Sequence, residues 1–499
     1  MEKEKGINRR EFLSTATKAS IGAGIGITVL PSHVTGVTGK VAPNDRINIG
    51  LIGYGSQSRK MLPGWLNEPN FQFISVCDPN KESYDYPDWG GPRGEIAGTA
   101  GGRDVGQRIV NKFYADQTGQ SNYDGCSAFA DFREMMEKES DLDAVFIMTP
   151  DHLHASIAVA AMNKGLMLAT HKPIGNYLQE TRAAINKAKN SGMATHIFAG
   201  QERYEHYLIQ EWIKHGAIGK LKELHRWTNR PMWPQGSPYL PDENPPIPDG
   251  FDWQLWLGPS LPRPYSPEYT HTAFRGWHEF GAGCLADMGY YSLWNDWKLL
   301  NLGMPTKAEA SASVICDIRE FRSTWVRNHV SFPHAAKIRW EVPVNGTEDT
   351  IDVYWYEGGL RPPNLKAVKD KGMKLGGEGV YLVGEEGVIL SGWGHNNPQL
   401  LGVNNAEELI ASITEPDFEE TPLDAQMIAA FRGEQESQSS YPNAQVIAET
   451  ICLGNLAIRA DQSFRTDQIL ELDLETLRIT NVPEVNQYVS RESRSGWEL

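Results

Sequence analysis

The sequence predicts an α/β protein in which a doubly wound parallel sheet is followed by a second domain with a large, mostly antiparallel open sheet. Two observations support the first half. A glycine-rich turn follows the apolar run at residues 47–49, and strand-like runs then alternate with helical segments as far as Gly175, the order of parallel strands joined by crossover helices. For the second half, the apolar runs after residue 300 have the hairpin-like spacing of antiparallel strands.

The first domain is predicted from short apolar runs that are separated by helical segments. After the run at 47–49, we predict strands at residues 73–77, 144–148 and 166–170, and helices at residues 104–114, 131–139 and 155–164. We therefore assign residues 43–175 to this domain.

The second domain, residues 176–499, has a different pattern. We predict a helix at residues 179–190, a short strand at 194–199, a Pro- and Trp-rich region at 230–264, strands at 308–316, 336–342, 350–356 and 379–390, and a helix at 443–460. The later strands are not separated by helices long enough for parallel crossovers, so an α+β domain is expected.

Charge and composition exclude several classes of protein. The formal net charge of −16 argues against nucleic-acid binding, which requires clustered Lys and Arg. The five cysteines are scattered and form no C-x-x-C motif, so we expect neither a disulfide framework nor a metal site. The 15 Trp and 18 Tyr residues suit sugar stacking as well as core packing.

The first 42 residues are set apart as a targeting segment and linker. Arg9 and Arg10 precede a weakly apolar run at residues 19–30, a pattern that resembles a twin-arginine export signal. The run is too short for a stable membrane span. We therefore expect a periplasmic or otherwise exported protein without stable membrane insertion. The alternative is an amphipathic N-terminal helix that stays attached.

The motif GLIGYGSQS at residues 50–58 predicts a dinucleotide-binding turn. Gly53 and Gly55 allow backbone amides to approach a pyrophosphate at the start of the next helix, where Ser56 and Gln57 follow. Asp78, at the end of the next strand, has the spacing of an acid that hydrogen-bonds an adenosine ribose. Its carboxylate favours NAD over NADP.

Two features nearby leave alternatives open. A positive charge on Lys81 or Arg59 would partly offset the repulsion between Asp78 and a 2′-phosphate, so NADP remains possible. The glycine-rich excursion at residues 89–102 is either surface elaboration or a flap over the cofactor.

Several motifs together resemble the Gfo/Idh/MocA oxidoreductases, which oxidise sugars with a Rossmann domain and an open α/β substrate domain. Besides the glycine turn, they are Thr149-Pro150-Asp151-His152-Leu153-His154, His171-Lys172-Pro173, Trp256-Leu257-Gly258-Pro259, Asp287-Met288-Gly289 and residues 491–499. The resemblance implies that Thr149, Pro150, His152 and His154 lie beside the nicotinamide. It also implies that Lys172 binds the reacting hydroxyl, and that the protein forms dimers or tetramers.

Two positions depart from the family pattern. His171 stands where the family has Glu, and Tyr291 stands where it has a catalytic His. We expect His171 to replace the Glu contact to the cofactor. If the segment after Met288 is helical, Asp287 and Tyr291 share a face.

Oxidation of a hydroxyl requires an acid/base group within hydrogen-bond reach. We therefore select Lys172, Asp287, Tyr291 and His154 as catalytic candidates. Tyr291 would need a neighbouring ammonium such as Lys172 to lower its pKa. His171, His206 and His278 are further sources of an imidazole.

These residues leave three functions open. The first is an NAD(P)-dependent oxidation of a sugar or glycoside hydroxyl, with the cofactor tightly bound because free NAD is not maintained outside the cytoplasm. The second is a redox-neutral glycosidase that oxidises C3, eliminates the aglycone and reverses the oxidation. The third is a non-catalytic sugar-binding protein.

Overall fold

The computed structural model describes residues 41–87, 99–414 and 416–499. The twin-arginine segment and most of the glycine-rich excursion lie outside the described residues. Residues up to Arg46 form a separate unit, of which the described part contains one turn of 3-10 helix, Pro43–Asp45.

The first sheet has six parallel strands. In chain order, the strands of this half are β1 (Ile47–Ile52), β2 (Phe71–Cys77), β3 (Ser83–Tyr86), β4 (Thr99–Gly101), β5 (Ser127–Phe129), β6 (Ala144–Ile147), β7 (Met167–Thr170) and β8 (Thr195–Ile197), of which β3 and β4 form a small separate hairpin. The helices are α1 (Ser56–Leu66), α2 (Arg103–Thr118), α3 (Phe132–Lys138), α4 (His154–Asn163) and α5 (Leu178–Ser191). The order of the sheet is β5-β2-β1-β6-β7-β8.

The position of β1 in this order creates the ligand crevice. The chain leaves β1 towards β2 on one side, and then crosses to β6 on the other side. Ligands bind at such a switch point because the loops after the two strands diverge there. The loops after β1, β2 and β6 contain the glycine turn, Asp78 and Thr149.

The parallel sheet continues beyond Gly175, where we placed the domain boundary. Strand β8 pairs in parallel with β7, from Leu168 opposite Thr195 to Thr170 opposite Ile197. The helix α5 acts as its crossover, so the segment assigned to the second domain adds a further strand to the first sheet. Sequence periodicity does not reveal this pairing, because a short buried strand has the same apolar pattern whichever of the two sheets it joins.

The second sheet has nine strands in the order β17-β16-β15-β9-β14-β13-β10-β18-β19. In chain order, the strands of this half are β9 (Leu221–Trp227), β10 (Lys307–Ala312), β11 (Ile315–Arg319), β12 (Arg322–Val326), β13 (Ala336–Pro343), β14 (Thr350–Tyr356), β15 (Gly379–Gly384), β16 (Val388–Ser391), β17 (Gln399–Leu401), β18 (Leu470–Asp473) and β19 (Arg478–Ile479). Strands β11 and β12 form a separate hairpin.

The antiparallel prediction is confirmed for this sheet except at one pair. Strands β9 and β14 run parallel. The reason is the long connection from Trp227 to Thr350, which includes a long helix and returns the chain in its starting direction. The predicted strand at 379–390 is two strands, β15 and β16, joined by a tight turn.

Seven helices of the described chain complete the second half. They are α6 (Tyr204–Lys214), α7 (Trp253–Leu257), α8 (Gly283–Leu299), α9 (Lys366–Asp370), α10 (Ala406–Ser412), α11 (Leu423–Phe431) and α12 (Tyr441–Phe464). Helix α12 packs closely on the sheet at Gly454, where an added Cβ would lie 2.4 Å from the Trp340 ring. Within the described ranges, we find no helix that combines the length and apolarity of a membrane span.

A fully buried ion pair joins the second sheet to α8. Arg226 of β9 donates through Nε to Asp296 Oδ2 at 2.6 Å and through Nη2 to Oδ1 at 2.8 Å. His395 Nε2 lies 2.9 Å from Asp296 Oδ1, and all three side chains are fully buried. Although burial favours protonation, Arg226, with a smaller contribution from His395, lowers the pKa of Asp296 to about 2.

Asp296→Asn should destabilise the protein, because it leaves the Arg226 charge buried without a counter-ion. We expect the free energy of unfolding in urea at pH 7 to fall by about 3–5 kcal/mol. The carboxylate contributes fully above the ordinary carboxyl pKa of about 3.9 and loses its contribution as the pH falls towards 2. The difference in the free energy of unfolding between the wild-type protein and Asp296→Asn should therefore become smaller as the pH falls.

The matched control is Asp370→Asn, which breaks the pair with Lys366 on α9. Those side chains are 87% and 58% exposed, so the change should cost about 0.5 kcal/mol or less. Equal costs for the two variants would contradict the assignment of the buried pair.

Candidate active site

The glycine turn brings the backbone of β1 against the end of β6. Gly53 has a φ of +92°, and a Cβ there would lie 2.7 Å from the carbonyl oxygen of Met148. Helix α1 begins at Ser56 after Gly55, without a side-chain cap. Its first N–H groups are therefore available to an anion, and the N-terminal end of the helix dipole favours one.

Asp78 is held in place by the same turn. Its Oδ2 accepts from Tyr54 N at 2.8 Å and its Oδ1 accepts from Asn80 N at 2.8 Å. Burial raises the pKa of Asp78, and these two backbone donors oppose the rise. The uncapped helix, the close approach at Gly53 and this acid fit the pyrophosphate and adenosine ribose of a dinucleotide.

A cavity runs along the carboxyl ends of the strands, and together with its opening to solvent it contains about 1120 Å³ of space free of protein atoms. The predicted cofactor residues that line it are Gly53, Gly55, Ser56, Gln57, Asp78, Thr149, Pro150 and His171. Two others, His152 and Lys172, are buried outside its lining. Among the residues the structure describes, no three His, Cys, Asp or Glu side chains come together as a metal site.

Residues 248–275 cover the cavity, which the sequence did not predict. Lys81 N donates to Gly250 O at 2.9 Å, and Asp252 N donates to Pro79 O at 3.0 Å. His271 Nε2 lies 2.9 Å from Asp85 Oδ2. These contacts join the covering segment to the loop after β2. They link residues more than 150 positions apart, so local sequence patterns contain no signal for them.

Three charged side chains meet at one end of the cavity. Lys172 Nζ donates to Asp287 Oδ1, and Arg275 Nε donates to the same oxygen at 3.1 Å. The Lys172 side chain is 3% exposed and that of Asp287 12%. The structure thus brings together two predicted residues that are far apart in sequence, and adds Arg275, which sequence reasoning missed.

This cluster fixes the charge on Asp287. Burial would raise the pKa of Asp287, but the positive charges of Lys172 and Arg275 lower it well below its usual range. Burial lowers the pKa of Lys172, and the Asp287 carboxylate opposes that change. Asp287 is therefore ionised at neutral pH, and Lys172 loses its proton more readily than an exposed lysine.

Tyr291 lies on the same face of α8 as Asp287, as the spacing predicts. Its hydroxyl is 2.9 Å from His171 Nε2. The prediction that Lys172 lowers the pKa of Tyr291 is wrong. Burial and, to a smaller extent, the Asp287 charge raise the pKa of Tyr291 well above its usual value, and Arg275 only partly opposes the rise. Burial, with Lys172 and Arg275, lowers the pKa of His171, so this pair is neutral.

His154 and His152 hold backbone segments near the site. His154 Nδ1 lies 2.6 Å from Pro173 O and its Nε2 lies 2.9 Å from Thr149 O. His152 contacts the carbonyl oxygens of Phe280 and Trp256 in the same way. Both rings therefore tie the strand ends to their neighbours, and neither lines the cavity.

The remaining histidine and tryptophan candidates differ in whether they line the cavity or pack in the core. His206 and His278 do not line the cavity. Trp253 and Trp256 stack with ring centroids 4.8 Å apart in a buried aromatic cluster, as expected for core packing. Trp256 also borders the cavity.

Comparison with known proteins supports this geometry. Residues 108–198 match the model of the NAD-binding Rossmann fold of the Gfo/Idh/MocA oxidoreductase family, and residues 225–317 match its C-terminal alpha/beta domain. The WlbA dehydrogenase of Chromobacterium violaceum, solved with NADH and UDP-GlcNAcA, is similar in fold, with a TM-score of 0.52 and 14% identity over 87% of this chain and 98% of that one. The WlbA dehydrogenase of Bordetella pertussis is also similar in fold, with a TM-score of 0.51 and 13% identity over 86% of this chain and 99% of that one.

Two curated relatives match parts of the chain. A glycosyl hydrolase family 109 protein of Solibacter usitatus is 24% identical over 222 residues, 43% of this chain and 44% of that protein. A levoglucosan dehydrogenase of Pseudarthrobacter phenanthrenivorans is 29% identical over 111 residues, 21% and 28% of the two chains. The chain therefore spans less than half the length of these relatives.

The fold and the cavity define an NAD-binding protein with a Rossmann domain and a C-terminal α/β domain. The two domain matches confirm the Gfo/Idh/MocA resemblance on both sides of the cavity. The hydroxyl of Tyr291 and Nε2 of His171, the two positions at which the sequence departs from the family pattern, lie 2.9 Å apart.

Gly53→Ala should abolish NAD retention, because its Cβ would collide with the Met148 carbonyl where the turn approaches the cofactor. The matched control is Gly165→Ala, which also has a positive φ, +76°, but has no atom within 4 Å of the new Cβ. The control should lose roughly 1–2 kcal/mol of stability and keep its NAD. Dinucleotide released on denaturation, quantified by mass spectrometry, is the measurement. Equal retention in the two variants would contradict this role of Gly53.

Proposed function

We propose that this protein is an NAD-dependent oxidoreductase that oxidises a hydroxyl of a sugar or glycoside, with C3 as the proposed position. The observation that carries the proposal is the Lys172 and Asp287 pair at one end of the dinucleotide cavity, beside His171 and Tyr291. NAD, when bound, supplies the acceptor for the hydride that leaves the carbon. Asp78 supports NAD over NADP.

Lys172 is proposed to bind the reacting hydroxyl. Asp287 takes one of the three ammonium donors, and the Tyr291 ring centroid lies 5.0 Å from Nζ. We propose that a remaining donor reaches the substrate hydroxyl. The ammonium stabilises the developing alkoxide, and its lowered pKa helps it to exchange a proton. Asp287 positions the ammonium.

Tyr291 and His171, beside Lys172, are proposed as a proton relay. Transfer between these two neutral groups alone would leave a phenolate and an imidazolium, so each must release one proton as it receives another, and the last proton passes to solvent. His154 positions Thr149 and the loop after Lys172. Thr149, Pro150 and His171 contact the cofactor at this end.

The covering segment supports tight retention of the cofactor. We propose that the backbone hydrogen bonds at Lys81 and Asp252 and the His271 contact to Asp85 hold the covering segment over bound NAD and slow its release. Retention suits export by the twin-arginine route, which we propose from Arg9 and Arg10, because a periplasmic enzyme cannot recover released NAD. We also propose a homo-oligomer, on the family resemblance.

A redox-neutral glycosidase is the second candidate, favoured by the relatives named glycosyl hydrolase family 109 proteins. In this route, oxidation at C3 makes the C2 proton acidic. A base removes that proton, and the electron pair expels the aglycone from C1. Water then adds to C1 while C2 regains a proton, and the ketone is reduced back to the hydroxyl. The same Lys172 site serves both routes.

Lys172→Met should lower turnover by about 10²–10⁴-fold, because it removes both the oxyanion donor and the proton carrier. It should retain bound NAD, since the glycine turn at Gly53 and the Asp78 contacts are unchanged. Lys366→Met is the control, since that side chain is 87% exposed on α9. The measurements are steady-state rates and NAD content. Unchanged turnover would overturn the assignment, and loss of NAD would place Lys172 in cofactor binding.

The purified protein should contain NAD, and its reaction with sugars and aryl glycosides in deuterated water should separate the two routes. Accumulated NADH absorbance with an oxidised sugar would establish the oxidoreductase. Aglycone release without net reduction, and with deuterium at C2 of the product, would establish the glycosidase. Bound sugar with neither reaction would contradict both and favour a binding protein.

A further inference from the structure

Arg275 has a guanidinium that is only partly engaged by the protein. Its Nε donates to Asp287, and its central carbon lies 4.6 Å from the Phe274 ring centroid and 5.8 Å from that of Trp233. The hydrogen bond to Asp287 holds the Nε edge of the guanidinium, and the two aromatic rings contact its planar faces. Arg275 also lines the cavity.

The terminal nitrogens of Arg275 remain available. In the part of the chain that the structure describes, Nε makes the side-chain hydrogen bond of Arg275, and neither Nη1 nor Nη2 makes one. A guanidinium fixed at Nε presents these two nitrogens as a fork, which matches the two oxygens of a carboxylate. The arrangement is therefore preorganised for a planar anion.

The charges at this end of the cavity also favour an anion. Lys172 and Arg275 contact the same oxygen of Asp287, so one carboxylate charge serves two cations. Asp151, the other acid here, is buried and accepts from Ala282 N at 3.1 Å. Burial raises the pKa of Asp151, and the Arg275 and Lys172 charges oppose the rise, but among the described residues it makes no ion pair within 4 Å of either cation. Arg275 therefore shares the Asp287 carboxylate with Lys172, and a substrate carboxylate would give it a counter-ion of its own.

We infer that Arg275 is a specificity-determining residue that binds the carboxylate of a uronic acid or uronide substrate beside the reacting hydroxyl. The inference rests on the proposed function, since Lys172 marks the reacting position. The hydroxyls of a neutral sugar also accept hydrogen bonds from the fork, but they supply no counter-ion to Arg275.

Binding by matched sugar pairs tests the inference. Isothermal titration calorimetry on the NAD-loaded protein compares glucuronate with glucose and galacturonate with galactose, which differ only at C6. At least one uronate should bind about 10-fold or more tightly than its neutral partner, as expected for hydrogen bonds to a charged group. Arg275→Gln should remove that preference, and Arg275→Lys should restore part of it through charge without the fork.

Arg322→Gln is the control, because Arg322 is an exposed arginine on β12. It should keep the uronate preference. Equal binding of both sugars by the wild-type protein, or binding of neither, would overturn the inference. So would an Arg275→Gln variant that weakens both members of a pair equally, since Arg275 would then contact hydroxyls or only position Asp287.

Two further readouts separate this inference from the proposed function. Loss of NAD from Arg275→Gln would show that Arg275 holds the cofactor, and would overturn the inference. Uronate binding that depends on Arg275 but gives neither NADH nor aglycone release with any substrate would support the inference and contradict the proposed function.

Discussion

The arrangement of the site depends on one buried carboxylate. Asp287 of α8 accepts hydrogen bonds from Lys172, which follows β7, and from Arg275 of the covering segment. Burying any of these charges alone would cost several kcal/mol. Because each cation needs the carboxylate and the carboxylate needs a cation, the strand end, the helix and the covering segment are held at one point.

The same cluster divides the site into charged and neutral parts. Asp287 stays ionised through the physiological range, which makes it a poor proton acceptor and a good anchor. Lys172 has a lowered pKa, and the His171 and Tyr291 pair is neutral. A tyrosine at this position of α8 therefore works as a neutral hydrogen-bonding group, because burial and the Asp287 charge disfavour a phenolate.

The covering segment contacts two different parts of the molecule around the cavity. Its contacts with Lys81, Asp85 and Pro79 join it to the loop after β2, whereas Arg275 joins it to Asp287 of α8. Under the proposed function, this single stretch of chain would contribute both to cofactor retention and to substrate binding. Its Trp-rich composition supplies the buried cluster around Trp253 and Trp256 that supports it.

The sequence by itself determined the glycine turn, the acid Asp78, the parallel strands β1, β2, β6 and β7, though not the short β5, and the helix that places Asp287 and Tyr291 on one face. These features depend on local backbone geometry and periodicity, which the order of residues encodes directly. Only the tertiary structure decided that β8 joins the first sheet, that β9 and β14 run parallel, that Arg275 shares Asp287 with Lys172 and that His154 faces backbone carbonyls. Those outcomes depend on contacts between distant segments, and the direction of the Tyr291 pKa depends on burial and on a charge balance that exist only after such segments meet.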